Sequence, residues 1–298
     1  MSASPFLHTT HSNDLSSLGL GAETNQYDYQ GVNHFLAVLD HENNLFATDT
    51  TGTKSQYFVL CNLNEQRFNR DFCNSARNTL TFESYIPGLQ LLLVKMSEYE
   101  PHSVAARSFE KQLNFQLNAM DQADKGLMLL GTAHFQPSES DRKKRADDAY
   151  RPKRMPRNRR KSSWPSLTVE VGFSEPVRKL NSDAIWWITQ SRGHVNNVIR
   201  ISINRNYRQI TIEKWANIAA VPDVDPAVTY RNVLSQEAGA KKIKFSNKEP
   251  LIITFDDLFL RSAQGQEADI TFDTDILEAI ASDVWYAQFE MNYHHQHL

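Results

Sequence analysis

Residues 164–175 read Trp164-Pro165-Ser166-Leu167-Thr168-Val169-Glu170-Val171-Gly172-Phe173-Ser174-Glu175. Leu167, Val169, Val171 and Phe173 alternate onto one face of a strand, and Thr168, Glu170 and Gly172 onto the other. Apolar sequence around the strand predicts that the second face is covered as well. A carboxylate in such a place is expensive unless it is paired or holds a metal ion. Glu170 is therefore the residue to explain. The plainer alternative is an edge strand whose glutamate faces water.

Outward from this strand, Ser174 has the chemistry of a helix cap, with Glu175 and Pro176 in the first turn. Val177, Leu180, Ala184, Trp187 and Ile188 mark the buried face of the helix, and Lys179 and Asp183 lie four apart on the other side. Gly193 ends it. Val198 to Ile203 and Gln209 to Trp215 then read as strands. On the upstream side, residues 103–121 form a helix with Phe109, Leu113, Leu117 and Met120 as its apolar stripe and Glu110 beside it. Gly126 is the expected stop, Leu127 to Phe135 the next strand, and Ala146 to Tyr150 a short strand carrying Asp147. Earlier still, Phe35 to Leu39, Tyr57 to Leu60 and Gly88 to Met96 are apolar runs expected as strands. Residues 1–25, rich in Ser, Thr and Asn, are expected to form a disordered tail. Beyond residue 216 the expected elements are a strand at Leu251 to Phe255 and a final helix opened by an Asp275/Glu278 capping box, with Leu277, Ile280, Ala281, Val284 and Trp285 buried. His294, His295 and His297 read as part of a frayed terminus rather than a metal cluster.

A chain of 298 residues can bury a large core in one domain or two, and its 40% hydrophobic and 22% charged content is that of a globular protein. The two cysteines, Cys61 and Cys73, cannot build a disulfide framework, and no Cys/His spacing matches a zinc finger. No secretory signal and no membrane-length apolar run is visible, so an intracellular protein with reduced thiols and no membrane partner is expected. The formal charge of −3 hides an asymmetry. Residues 142–161 hold 11 Lys or Arg against two Asp, a local +9 that leaves −12 for the rest. Such a run is read as a mobile basic loop over 142–163, either merely solvated or a source of sequence-independent nucleic-acid affinity. Arg142-Lys143-Lys144-Arg145 and Arg157 to Lys161, which includes Arg159 and Arg160, also have the spacing of a bipartite nuclear-import signal. The tryptophans at 164, 186 and 187 are expected in the core rather than as base-stacking platforms.

Counted from residue 103, the order is helix, strand, strand, strand, helix, strand, with Glu110, Asp147 and Glu170 on the helix, the second strand and the third. That order, together with Pro165-Ser166-Leu167-Thr168-Val169-Glu170-Val171-Gly172-Phe173-Ser174-Glu175 and Asp183-Ala184-Ile185-Trp186-Trp187, resembles a divergent branch of the PD-(D/E)XK, or restriction-endonuclease-like, superfamily and a group of uncharacterised fungal proteins. The resemblance runs from about residue 83 to 289 and is most specific over 164–215. It implies an α/β fold with a mixed central sheet flanked by helices. One nuclease-like domain would occupy 26–298, with its core at about 103–215, an N-terminal elaboration and a C-terminal extension over 216–298. It also implies a Mg²⁺- or Mn²⁺-dependent nuclease acting on DNA phosphodiester bonds, with Asp147 and Glu170 as metal ligands and Glu110 as a third carboxylate. The sequence departs from the pattern in two places. Ala146 stands where the superfamily has proline, and Gly172 stands where its lysine belongs. Lys179 on the following helix is the replacement expected for that lysine, although an i,i+4 ion pair with Asp183 explains it equally well. The alternative is a catalytically silent nucleic-acid-binding or protein-interaction module on the same fold.

Overall fold

Leu167–Phe173 forms a strand, β9, in which all seven residues are buried. That is the pattern of a strand with neighbours on both edges and cover on both faces. Its sheet has seven strands, in the order β13-β12-β11-β10-β9-β8-β5. These are β5 (Leu127–Leu129), β8 (Asp148–Pro152), β9, β10 (Asn197–Ile203), β11 (Gln209–Ala216), β12 (Ala227–Ser235) and β13 (Lys244–Phe245). β9 and β10 run parallel and all other pairs antiparallel, so the sheet is mixed. A parallel pair needs a crossover, and α4 (Val177–Gln190) provides it. The helix ends where Arg192 and Gly193 both take positive φ. The computed structural model describes residues 15–16, 18–21, 23–49, 51–73, 80, 82–96, 99–135, 142–159, 164–173, 176–217 and 226–290.

The chain divides into two compact units, and neither is contiguous in sequence. Unit one comprises Met1–Glu98, His134–Arg145 and Ser174–Ser182; unit two comprises Tyr99–Ala133, Ala146–Phe173 and Asp183–Leu298. The seven-stranded sheet belongs to unit two. So does α3 (Glu100–Ala119), whose His102, Ala105, Ala106, Phe109, Leu113 and Leu117 form one buried stripe. Phe109 stacks on Phe272 of a small two-stranded antiparallel sheet, β14 (Leu251–Ile253) and β15 (Ile270–Phe272), with ring centroids 4.7 Å apart. α3 stops because Asp121 and Gln122 take positive φ, before the expected Gly126. The last helix, α6 (Thr274–Trp285), is capped by Asp273, whose side chain accepts from the Ile276 amide, rather than by Asp275. The expected helix–strand–strand–strand–helix–strand order is present as α3, β5, β8, β9, α4 and β10.

Unit one is built on a six-stranded sheet in the order β1-β2-β4-β3-β7-β6. Its strands are β1 (Asn25–Asp28), β2 (Tyr57–Cys61), β3 (Ser84–Ile86), β4 (Leu91–Lys95), β6 (His134–Phe135) and β7 (Lys143–Arg145). Three sequence expectations change here. Phe35 to Leu39 lies inside a helix, α1 (Val32–Ala47), because its buried positions Phe35, Val38, Glu42 and Phe46 repeat at helical spacing. Leu127 to Phe135 is not one strand: Leu127–Leu129 pairs in the seven-stranded sheet and His134–Phe135 in this one, with Gly131 at φ 54 between them. Leu15, Leu18 and Leu20, inside the stretch expected to be disordered, are buried against Tyr57, Val59, Cys61, Leu91 and Leu93.

Candidate functional site

Glu170 sits in β9 with 4% of its surface exposed, and the Trp187 indole N–H from α4 donates to its Oε1. The register of the sheet places a row of charges beside it. Glu170 pairs with Arg200 on β10, Arg200 with Glu213 on β11, and Glu213 with Arg231 on β12. The Arg200 Nη2 is 2.6 Å from Glu213 Oε2, which also accepts from Trp215 Nε1 at 3.1 Å, and Arg231 Nε is 3.5 Å from Oε1. Three of the four residues are buried, so alternation of sign across the strands is what makes the row tolerable in the interior. Thr168, on the same face of β9 as Glu170, is fully buried, and its hydroxyl has no hydrogen-bond partner among the described residues.

Asp147 immediately precedes β8. The β8–β9 ladder pairs Asp148 with Val169 and Ala149 with Thr168, so one further step would set Asp147 opposite Glu170. The chain bends there, and the carboxylate turns to the backbone of β9. Its Oδ2 accepts from the Val171 amide at 2.7 Å and lies 3.2 Å from His102 Nε2. The Val171 nitrogen belongs to the peptide bond that joins it to Glu170. The Asp147 carboxylate thus reaches the peptide that follows Glu170. No group of three or more His, Cys, Asp or Glu side chains suited to a metal ion occurs among the described residues.

Glu110 belongs to a different cluster. It pairs with Arg107 one turn earlier on α3, and Arg107 Nη2 reaches Asp148 Oδ2 at 3.5 Å. Asp148 also accepts from the Tyr150 hydroxyl at 2.8 Å. Burial raises the Asp148 carboxyl above its ordinary range, although Tyr150 and Arg107 both act to lower it. The third carboxylate expected beside Asp147 and Glu170 is thus engaged with the neighbouring aspartate. A guanidinium shared by two acids stabilises both where they are.

Lys179 also lies in another cluster. The helix-surface position expected for it is buried at 0% exposure, and Asp183 is at 1%. In unit one its Nζ lies 3.3 Å from Glu83 Oε1 and 5.0 Å from the centre of the Tyr57 ring. Lys144 Nζ and, at 3.3 Å, Arg142 Nη2 meet the same oxygen, while the Ser84 hydroxyl donates to Oε2 at 2.5 Å. Burial pushes the Glu83 carboxyl up, but Lys144, Lys179 and Arg142 outweigh it and hold the group well below the usual carboxylate range. The first basic block is accordingly not a solvated loop. Lys143 to Arg145 is strand β7, with Lys144 fully buried beside Ser84, and Arg142 is 7% exposed. Lys143 faces Glu65 at 3.5 Å, and the Arg145 guanidinium lies over the Phe82 ring. In the second block Arg159 is buried and donates to the His194 carbonyl, whereas Arg157, like Arg154 just before the block, is exposed. Arg160 and Lys161 lie outside the described residues.

His102 had no place in the sequence reading. A histidine in the first turn of a helix carries no local sign of its partner, and Asp147 is 45 positions away. Trp164, Trp186 and Trp187 pack on one another edge to face or tilted, with centroids 5.0 to 5.9 Å apart, and all three are buried.

No family model and no curated protein matches the chain. Among solved structures, the crystal structure of a "putative nuclease belonging to DUF820" from Anabaena variabilis ATCC 29413 is similar over 49% of this chain and 75% of that one. The identity is 12% and the TM-score 0.29.

Proposed function

We propose that the chain is a nuclease-like protein in which Asp147 and Glu170 hold a divalent cation, Mg²⁺ or Mn²⁺, for hydrolysis of phosphodiester bonds in DNA. One observation carries the reading: Asp147 Oδ2, at the entry to β8, lies 2.7 Å from the amide of the Glu170–Val171 peptide in the adjacent strand β9. The donor set fits the ion. Two carboxylates are hard oxygen ligands, and Mg²⁺ takes one or two of these while keeping several waters. When bound, the cation would lower the pKa of a water and neutralise charge on the phosphate. The residues themselves would orient it: the Val171 amide and His102 hold Asp147, and the Trp187 indole holds Glu170. Lys179 and Glu110 have no role in this reading. Contacts to the DNA backbone fall to exposed cations such as Arg154 and Arg157.

The second reading, a silent binding module on the same fold, is favoured by Gly172 at the position where a lysine was expected and by the burial of Glu170. Calorimetric titration with Mg²⁺ and Mn²⁺, paired with cleavage assays on single- and double-stranded DNA, separates the two. The nuclease reading expects heat of binding, a metal-dependent rise in Tm by mass action and cleavage, all lost in Glu170→Gln and Asp147→Asn. Metal binding without cleavage leaves the silent module, and wild-type protein giving neither ends the metal-site reading.

A further inference from the structure

His102 is 2% exposed and stands in the first turn of α3, directly after Pro101. Its Nε2 approaches the same Asp147 oxygen, Oδ2, that accepts from the Val171 amide. An ionised carboxylate only accepts, so both nitrogens present hydrogens to it. The two donors come from different elements, the strand β9 and the helix α3. Held at one oxygen from two directions, the carboxylate cannot turn about its Cβ–Cγ bond, and the direction of Oδ1 is set. The amide cannot be removed without disturbing β9. The imidazole is the half of this clamp that a side-chain change can take away.

We infer that His102 is a positioning residue for Asp147: its imidazole orients the carboxylate for a divalent cation and so sets the affinity of the site. The inference rests on the reading of Asp147 as a metal ligand. Outer partners of ligating side chains typically govern affinity by about 10–100-fold, and that is the effect expected here. The buried position excludes bulk water as an equivalent donor.

The test uses the full-length chain and Mn²⁺ alone as the probe, titrated calorimetrically. His102→Leu, similar in bulk and without a donor, is expected to weaken Mn²⁺ binding about 10–100-fold. His102→Gln, whose amide N–H can reach the place of Nε2–H, is expected to restore most of the loss, as a purely space-filling role would not require. A second measurement needs no substitution: in ¹⁵N-histidine-labelled wild-type protein, saturating Mg²⁺ should shift the His102 ring nitrogens. A folded His102→Leu variant binding Mn²⁺ as tightly as wild type overturns the inference while leaving the metal site standing. Should that variant not fold, His102 nitrogens that do not move with Mg²⁺ overturn it equally. If wild-type protein binds no Mn²⁺, the metal site and the inference both fall.

Discussion

Trp187→Phe isolates the bond that holds Glu170. Trp187 is fully buried, and its ring packs edge to face on Trp164 and Trp186. Phenylalanine keeps one aromatic ring in place and removes the pyrrole part with its N–H. The trimmed volume should cost roughly 1–2 kcal/mol in a core that relaxes only partly. The lost hydrogen bond to a carboxylate adds about 1.5–3 kcal/mol, since Glu170 Oε1 stays buried without this donor. The sum, about 2.5–5 kcal/mol, should lower Tm by on the order of 10 °C. The five tryptophans, at 164, 186, 187, 215 and 285, all lie in unit two, so their fluorescence during guanidinium unfolding reports on that unit. Repeating the substitution in a Glu170→Gln background isolates the charge. A neutral amide oxygen makes the weaker bond, so Trp187→Phe should cost about 1–2 kcal/mol less there. A penalty equal in both backgrounds to within about 0.3 kcal/mol would refute the idea that the indole N–H is what stabilises a buried Glu170 carboxylate.

Glu83→Gln removes the carboxylate shared by Lys144, Lys179 and Arg142 and should destabilise unit one by about 3–5 kcal/mol, read as faster amide exchange in β2 and β4. Because the folded state lowers the Glu83 pKa, its contribution is complete above the ordinary glutamate range and is lost as pH falls through the lowered value; acid titration of the same amides should show this in wild type and not in the variant. Asp148 has the opposite sign. Its pKa is raised, so the stability linked to it is present below the ordinary aspartate range and lost as pH rises through the raised value. Asp148→Asn, which still offers Tyr150 an acceptor, should therefore raise the denaturation midpoint of unit two at pH 7 and leave it unchanged or lower at acid pH. If the chain binds duplex DNA, removing the exposed Arg154 and Arg157 together should flatten the dependence of log affinity on log salt by about 2, and an unchanged slope would place the DNA contacts elsewhere.

The centre of the chain was legible because its signals are local and redundant. β9 alternates, α4 repeats its apolar positions every three or four residues, although Val177, read into its buried face, is 60% exposed, and β10 and β11 are rich in Ile, Val and Thr. Misreadings arose where a partner far along the chain decides the outcome. Lys144 looks like a surface cation until Glu83, 61 residues away, is seen beside it. Glu110 looked like a neighbour of Asp147 and Glu170; Arg107 draws it to Asp148 instead. Phe35 to Leu39 is a continuous apolar run that fits a strand as well as a helix. The helical repeat is also disguised by a buried polar member, Glu42, which accepts from Tyr27 and Asn25 and pairs with Lys54. Leu15, Leu18 and Leu20 were hidden by the Ser- and Asn-rich composition around them.

The interleaving of the two units has a consequence for how the protein is made. Glu83 draws its cationic partners from residues 142, 144 and 179, so unit one lacks its buried charge cluster until Lys179 has been synthesised. The first segment of that unit ends at Glu98 and its last at Ser182, 84 residues later. At roughly 5–20 residues per second, a ribosome needs about 4–17 s to cover that distance. Throughout that interval the nascent chain carries β2 and β4, with their runs of Val, Leu and Phe, before the closing segment exists. That is the window in which a chaperone holding the N-terminal segment would matter most. A stalled or truncated product ending before residue 174 would lack the closing segment altogether.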